Sequence, residues 1–273
     1  RLLALHMDVD CLSFTGSTAT GRVLMQYAAQ SNLKALLLEC GGKSPQIVLD
    51  DLDDLDAVAE SIVHGYVWNS GQVCVAGTRI LVARKLYTPL LERMVARLDA
   101  RRSGDPLDAA TQLGPLASTV QLERVSSMVE AARVSGGKVV AGGMRDTAAG
   151  ACHYRPTLLA EVPHNHPFMQ EEIFGPVAGI LPFDSPEQAL QLANDCQFGL
   201  SATLWTRDFS LANKLARQVH GGPVTVHAVA SPGPAFVSGA SVEPARASGF
   251  GAEGGAAGLL AYTRAKNVLF RLA

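Results

Sequence analysis

A chain of 273 residues that is 48% hydrophobic has enough apolar side chain for a full core, as one large or two ordinary domains. Its formal net charge of -2, from 23 basic and 25 acidic residues, gives no single-sign field to attract nucleic acid or an anionic membrane, so neither is an expected partner. The five cysteines, Cys11, Cys40, Cys74, Cys152 and Cys196, are odd in number and lack metal-ligand spacing. They read as reduced thiols of a cytoplasmic protein rather than a disulfide framework or a zinc site.

The first residues are interrupted by His6, Asp8 and Asp10 and fit neither a signal peptide nor a membrane span. Leu12 to Thr15 reads as a short strand and Gly16-Ser17-Thr18 as the turn after it, as though the chain opened inside a βα unit. The helix pattern of GRVLMQYAAQ follows, with Thr18 or Thr20 as its expected cap. A helix start with free N-H groups and hydroxyls is an anion site. It is not a P-loop, because Arg22 and Val23 stand where Lys and Ser/Thr would be required, and an ordinary strand-turn-helix connection fits the same residues.

An apolar strand from Leu33 to Leu38 runs into Glu39, then Cys40-Gly41-Gly42, then a second strand over Gln46 to Leu49. A carboxylate beside two glycines at the end of a buried run can be desolvated into a general base, although a solvated strand-end glutamate is the commoner case. The aspartates from Asp50 to Asp56 read as an acidic, solvated turn and helix entry. Residues 55–70 have helical apolar spacing and lead to Asn69-Ser70-Gly71-Gln72-Val73-Cys74, a thiol between glycines that a substrate can reach. His64 on that helix reads as a packed histidine, not as the partner of the thiol.

Next come a strand over TRILVARKLY, a helix from Pro89, a turn-rich loop, and a helix-then-strand repeat stopped by Gly136-Gly137. This alternation predicts an open α/β sheet. His153, His164 and His166 lack an acidic ligand at helical spacing, so no metal site is expected. In QEEIFGPV, Glu171, Glu172, Phe174 and the rigid Gly175-Pro176 turn could clamp a ribose and a flat ring, or form an ordinary loop. The stretch after Val219 is rich in Gly, Ala, Ser and Pro, its strand signal fades after Val226 and it reads as loop, whereas Tyr262 to Leu272 reads as an alternating strand able to extend another sheet.

Taken in order, FTGST, ECGGKSP, GQVCVAGTR and EEIFGPV resemble the NAD(P)-dependent aldehyde dehydrogenase superfamily along nearly the whole chain to about residue 220. QALQLANDCQFGL, LWTRD and the long acidic turn lean towards dehydrogenases of amino-aldehydes, the gamma-glutamylaminobutyraldehyde type. The resemblance implies an α/β aldehyde dehydrogenase-like catalytic domain with an open twisted sheet over 41–247. The last piece of a truncated Rossmann-like cofactor domain over 1–40 would precede it, and a C-terminal segment over 248–273 would carry an oligomerisation strand.

The resemblance also implies Cys74 as nucleophile and Glu39 as general base, 35 positions apart (74 - 39). Gly16 and Ser17 would lie under the pyrophosphate of NAD or NADP. Glu172 and Phe174 would hold the nicotinamide ribose and ring, with Gln121, and then Arg124, on a helix near that ribose. The implied chemistry is thiolate attack on an aldehyde, hydride transfer from the thiohemiacetal, and hydrolysis of the thioester by water that Glu39 activates. A soluble homo-oligomer acting on a small aldehyde is expected.

The sequence departs from the family in three places. The family's cofactor domain precedes FTGST and is almost all absent here. Arg246 replaces a lysine before Ser248-Gly249-Phe250-Gly251, with His227 near the family's asparagine, and Cys40 stands at a position usually held by leucine. Two further readings follow from the truncation: a folded remnant acting only as an interaction protein, and a chain that keeps residual esterase activity.

Overall fold

The computed structural model describes residues 1–229 and 240–272. The loop read after Val219 therefore falls partly outside the described residues, and within it Val224–His227 forms a strand. In chain order the elements are α1 (Leu2–Leu5), β1 (Cys11–Thr15), α2 (Thr18–Ala29), β2 (Ala35–Glu39), β3 (Pro45–Val48), α3 (Leu55–Val67), β4 (Arg79–Ala83), α4 (Arg84–Asp99) and α5 (Thr119–Val134). They continue as β5 (Lys138–Ala141), β6 (Thr157–Ala160), α6 (Pro167–Gln170), β7 (Val177–Phe183), α7 (Pro186–Asn194), β8 (Phe198–Gly199) and β9 (Ala202–Trp205). The last are α8 (Phe209–Ala216), β10 (Val224–His227), β11 (Ala245–Arg246), β12 (Gly249–Phe250) and α9 (Gly255–Leu260).

The large sheet runs β10-β9-β3-β4-β7-β6-β5, parallel throughout except for β5 against β6. Its centre is buried on both faces, which is why β3 and β4 are apolar beyond the buried Gln46 and Arg79 at their starts. Along β4, Ile80 and Val82 pack with α3 and α4 on one face, while Leu81 and Ala83 pack with α7 and α8 on the other. A further cluster joins α5 and α6 to β6 and β7 through Val125, Val129, Phe168, Leu159 and Val177. A smaller sheet, β1-β2-β12, holds β1 and β2 in parallel and receives β12 antiparallel to β2, so the 249–250 turn lies beside Glu39.

Local chemistry moves several boundaries. Ser17, not Thr18 or Thr20, caps α2, its hydroxyl accepting from the Thr20 amide. The strand read to Tyr87 stops at Ala83, the last residue paired with β7, and the helix begins at Arg84 rather than at Pro89, which lies inside it. The missing Pro89 N-H leaves the carbonyl of Lys85, an exposed residue, without its helical donor. In the acidic turn Asp54 caps α3, whereas Asp51 accepts from the Thr206 hydroxyl and from the amides of Arg207 and Asp208.

The tail from Tyr262 pairs with no strand among the described residues, and Leu269, Phe270 and Leu272 stand in solvent. Alternating side chains make a strand only where an edge supplies hydrogen-bond partners. Among the described residues no helix is long and apolar enough to cross a membrane.

Candidate active site

The residues singled out in the sequence converge at the amino-terminal edge of the parallel strands. The linker 39–44 enters β3, the Cys74 turn enters β4, the Glu172 loop enters β7, and Leu200 and Ser201 enter β9. Open α/β sheets usually bind ligands at the carboxyl edge. Here the four entering loops are brought together because β9, β3, β4 and β7 are sheet neighbours in register.

Glu39 ends β2, and its carbonyl accepts the Gly16 amide at 3.0 Å, tying the turn after β1 to the linker. Beyond it the backbone is buried and held from several sides. The Cys40 amide donates to the Ser248 carbonyl at 2.8 Å. The Ser248 hydroxyl donates to the Gly41 carbonyl at 2.7 Å and accepts the Gly199 amide at 3.1 Å. Arg79 Nε donates to the Lys43 carbonyl at 2.7 Å, while its other nitrogens donate to the carbonyls of Leu192 and Ala193 at the end of α7.

A reversal of the chain after α3 sets the position of Cys74. Asn69, Ser70 and Gly71 are all left-handed, with φ of 50°, 56° and 69°. The turn is tied down by Ser70 Oγ to the Gly114 carbonyl at 2.8 Å and by the Ala117 amide to Gln72 Oε1 at 2.8 Å. At Gly71 a Cβ would lie 2.0 Å from the Gly175 carbonyl oxygen, and at Gly42 one would lie 2.3 Å from the Cys74 carbonyl oxygen. These two glycines let the Glu172 loop and the Glu39 linker close on the cysteine turn.

Cys74, half buried, and Glu39, buried, lie close enough to shift each other's ionisation. Burial pushes Glu39 from its ordinary 4.5 to about 7; a hydrogen bond from Cys74 works against the rise, and the charge of Glu253 adds to it. Burial, and then the Glu39 charge, push the Cys74 thiol up to about 11, while the Val75 amide pulls it down. Glu39 Oε2 has no well-formed hydrogen bond among the described residues, so one carboxylate oxygen is free to take a proton. Glu39 also borders a cavity of about 290 Å³ lined in part by Leu37, Phe250, Glu253 and Tyr262.

The remaining candidates flank this pair. Ser17 is exposed at the start of α2, whose first-turn amides at Thr18 and Ala19 have no partner within the helix. Glu172 Oε1 accepts the Gly42 amide at 3.0 Å, and burial raises its carboxyl while Lys43 and Arg124 lower it. Phe174 adopts a left-handed φ of 61° and is 38% exposed. Gln121 on α5 gives its side-chain amide to the carbonyls of Ile173 and Phe174, both at 2.7 Å, and Arg124 donates to the Glu172 carbonyl at 2.7 Å. Both therefore act on the backbone that carries Glu172 and Phe174.

The donors and acceptors fit the nicotinamide and pyrophosphate portions of a dinucleotide: free helix-start amides for phosphate, a carboxylate for a ribose diol and an exposed ring beside it. Sequence reading missed Ser248, Arg79 and Lys43. Nothing in the spacing of Ser248 marks it, since it lies 207 positions from the Gly41 carbonyl it holds.

Comparison with known proteins matches residues 1–268 to the model of the aldehyde dehydrogenase family. Aminoacetaldehyde dehydrogenase of Pseudomonas aeruginosa is 42% identical over 82% of the chain and 45% of its own length. The NADP/NAD-dependent aldehyde dehydrogenase PuuC of Escherichia coli is 40% identical over 83% of the chain and 45% of its own length. Among solved structures, an indole-3-acetaldehyde dehydrogenase complexed with NAD+ superposes with a TM-score of 0.93 at 39% identity, covering 98% of this chain and 54% of that one. The chain thus spans about half the length of the relatives it matches. It belongs to the aldehyde dehydrogenase family.

Proposed function

We propose that the protein oxidises an aldehyde of the amino-aldehyde class to its carboxylic acid with NAD or NADP, using Cys74 as nucleophile and Glu39 as base. The observation that carries this reading is the close approach of the Glu39 linker to the Cys74 turn at Gly42, which sets a half-buried thiol pushed up to about 11 near a buried carboxylate raised to about 7. In the resting pair the thiol keeps its proton. Attack on an aldehyde carbon transfers that proton towards Glu39, and the Cys74 backbone amide would donate to the oxyanion that forms.

A bound nicotinamide dinucleotide supplies the hydride acceptor, and its cationic ring is the charge that would favour a thiolate here. Glu172, Phe174, Gly16 and Ser17 would hold it, with Gln121 and Arg124 acting through the 172–174 backbone. Glu39 passes the Cys74 proton on to solvent; once a thioester exists on Cys74, Glu39 takes a proton from water as the water oxygen attacks the acyl carbon, and returns it to the Cys74 sulfur as the C–S bond breaks and the acid leaves. An acid near 7 suits both proton transfers. The names of the P. aeruginosa and E. coli relatives support the amino-aldehyde class.

The same reading makes the tail from Tyr262 a strand for a neighbouring copy in a homo-oligomer, and the protein cytoplasmic. Titration with NAD and NADP followed by tryptophan fluorescence, then reduction of the bound cofactor by amino-aldehydes, tests the proposal. Saturable binding with aldehyde-dependent reduction that Cys74→Ala abolishes is expected. Reduction that survives Cys74→Ala would refute it.

A further inference from the structure

Gln46 is a buried amide that the proposed chemistry does not use. It lies in β3, is 3% exposed, and is paired through the sheet with Ile80 of β4 and Thr203 of β9. A primary amide in such a place has two N-H donors and an acceptor oxygen to satisfy. Trp205 Nε1, which can only donate, reaches one end of the amide at 3.2 Å, so that end is Oε1 and the other is Nε2. Nε2 then donates to the Gly77 carbonyl at 2.9 Å and to the Ile62 carbonyl at 3.4 Å. The buried indole is itself seated on the His227 ring, with centroids 4.4 Å apart and planes at 16°.

Ile62 and Gly77 stand on either side of Cys74 in the chain. Ile62 belongs to α3, which runs into the left-handed reversal, and Gly77 follows the cysteine just before β4. One side chain on a neighbouring strand therefore ties both limbs of the cysteine turn to the sheet. A Cβ at Gly77 would lie 2.5 Å from Gln46 Cγ, so glycine at 77 is what lets the amide close on that carbonyl.

We propose that Gln46, oriented by the Trp205 indole, is a positioning residue for Cys74: its amide bridges the Ile62 and Gly77 carbonyls and fixes the turn that presents the thiol. That the fixed thiol then does acyl chemistry rests on the function proposed above.

Gln46→Met in the whole chain keeps the length of the side chain and removes the bridge. The Ala76 and Thr78 amides, which donate to the carbonyls of Val73 and Ala76 within the turn, should exchange with deuterium roughly fivefold faster, the loss of about one buried hydrogen bond. The Gly16 and Cys40 amides beside the smaller sheet should stay unchanged. Unaltered exchange at Ala76 and Thr78, or equal acceleration at Gly16 and Cys40, would overturn the proposal.

Gln46→Glu supplies a rescue and guards against misfolding of the first variant. While protonated, the new carboxyl can accept from the Trp205 indole and donate to the Gly77 carbonyl, and burial favours that neutral form. Exchange at Ala76 and Thr78 should therefore return close to that of the parent at pH 5. A turn as loose at pH 5 as in Gln46→Met would overturn the assignment. The rate at which an activated ester acylates Cys74 tests the link to chemistry, and it should fall roughly fivefold in Gln46→Met. An undiminished rate would overturn the positioning role. A parent that is never acylated would count against the proposed function instead, with exchange still deciding whether Gln46 holds the turn.

Discussion

Replacing Glu39 with glutamine should stabilise the protein while removing its base. Glutamine keeps the shape and an oxygen that can accept from the Cys74 thiol, but it carries no charge into a site where the glutamate is 9% exposed. In the unfolded chain Glu39 titrates near 4.5, and in the folded protein near 7. A carboxyl whose folded pKa is raised binds its proton more tightly in the native state. Its contribution is complete below about 4.5 and is lost as pH rises towards and through 7. The interval, at 1.36 kcal/mol per pH unit, sets the full loss at about 3 kcal/mol. For a chain of this size that is on the order of 5–10 °C in Tm. Thermal unfolding of the parent and Glu39→Gln from pH 4 to pH 9 should therefore give similar Tm values at pH 4 and a variant several degrees higher above pH 8. A difference independent of pH, or a variant less stable at pH 8, would refute the desolvated-base account.

Other consequences follow from the same geometry. Alkylation of Cys74 by iodoacetamide should keep rising with pH to beyond 9, since the thiol lies near 11, and its midpoint should move down in Glu39→Gln once the neighbouring charge is gone. Gly42→Ala forces a methyl to within 2.3 Å of the Cys74 carbonyl oxygen; it should cost about 1–3 kcal/mol in denaturant unfolding and alter Cys74 alkylation. Arg79→Met strips donors from the carbonyls of Lys43, Leu192 and Ala193 and should cost about 3 kcal/mol or more by the same assay, because buried acceptors are left unpaired.

The proposed pair of Cys74 and Glu39 stood out as candidates because their signals are local, a thiol flanked by glycines after an apolar helix and a carboxylate at a strand end before Gly41-Gly42, while the roles proposed for them come from the resemblance of the ordered motifs. The alternation of helix and strand likewise announced the open α/β sheet. What fixes these groups was not legible, because it arrives from far along the chain. Ser248 and Gly199 hold the linker from the C-terminal half, and Arg79 couples Lys43 to the end of α7. Gln121 could be matched to a helix near the ribose, but only packing shows that its amide is spent on the carbonyls of Ile173 and Phe174. The tail reads as a strand because its side chains alternate, and alternation does not say which edge it meets. The gathering of the site at the amino edge depends on strand order, with β9 and β7 inserted on either side of β3 and β4, which no sequence period encodes.

The central claim is that Cys74 carries the acyl group and Glu39 releases it, and intact-mass spectrometry with an activated ester tests it most directly. The parent chain should show a transient acyl adduct that maps to Cys74, with a burst of released alcohol followed by slow turnover. Glu39→Gln should hold that adduct, and Cys74→Ala should form none. Acylation mapping to another residue, or an adduct that decays equally fast in Glu39→Gln, would contradict the account.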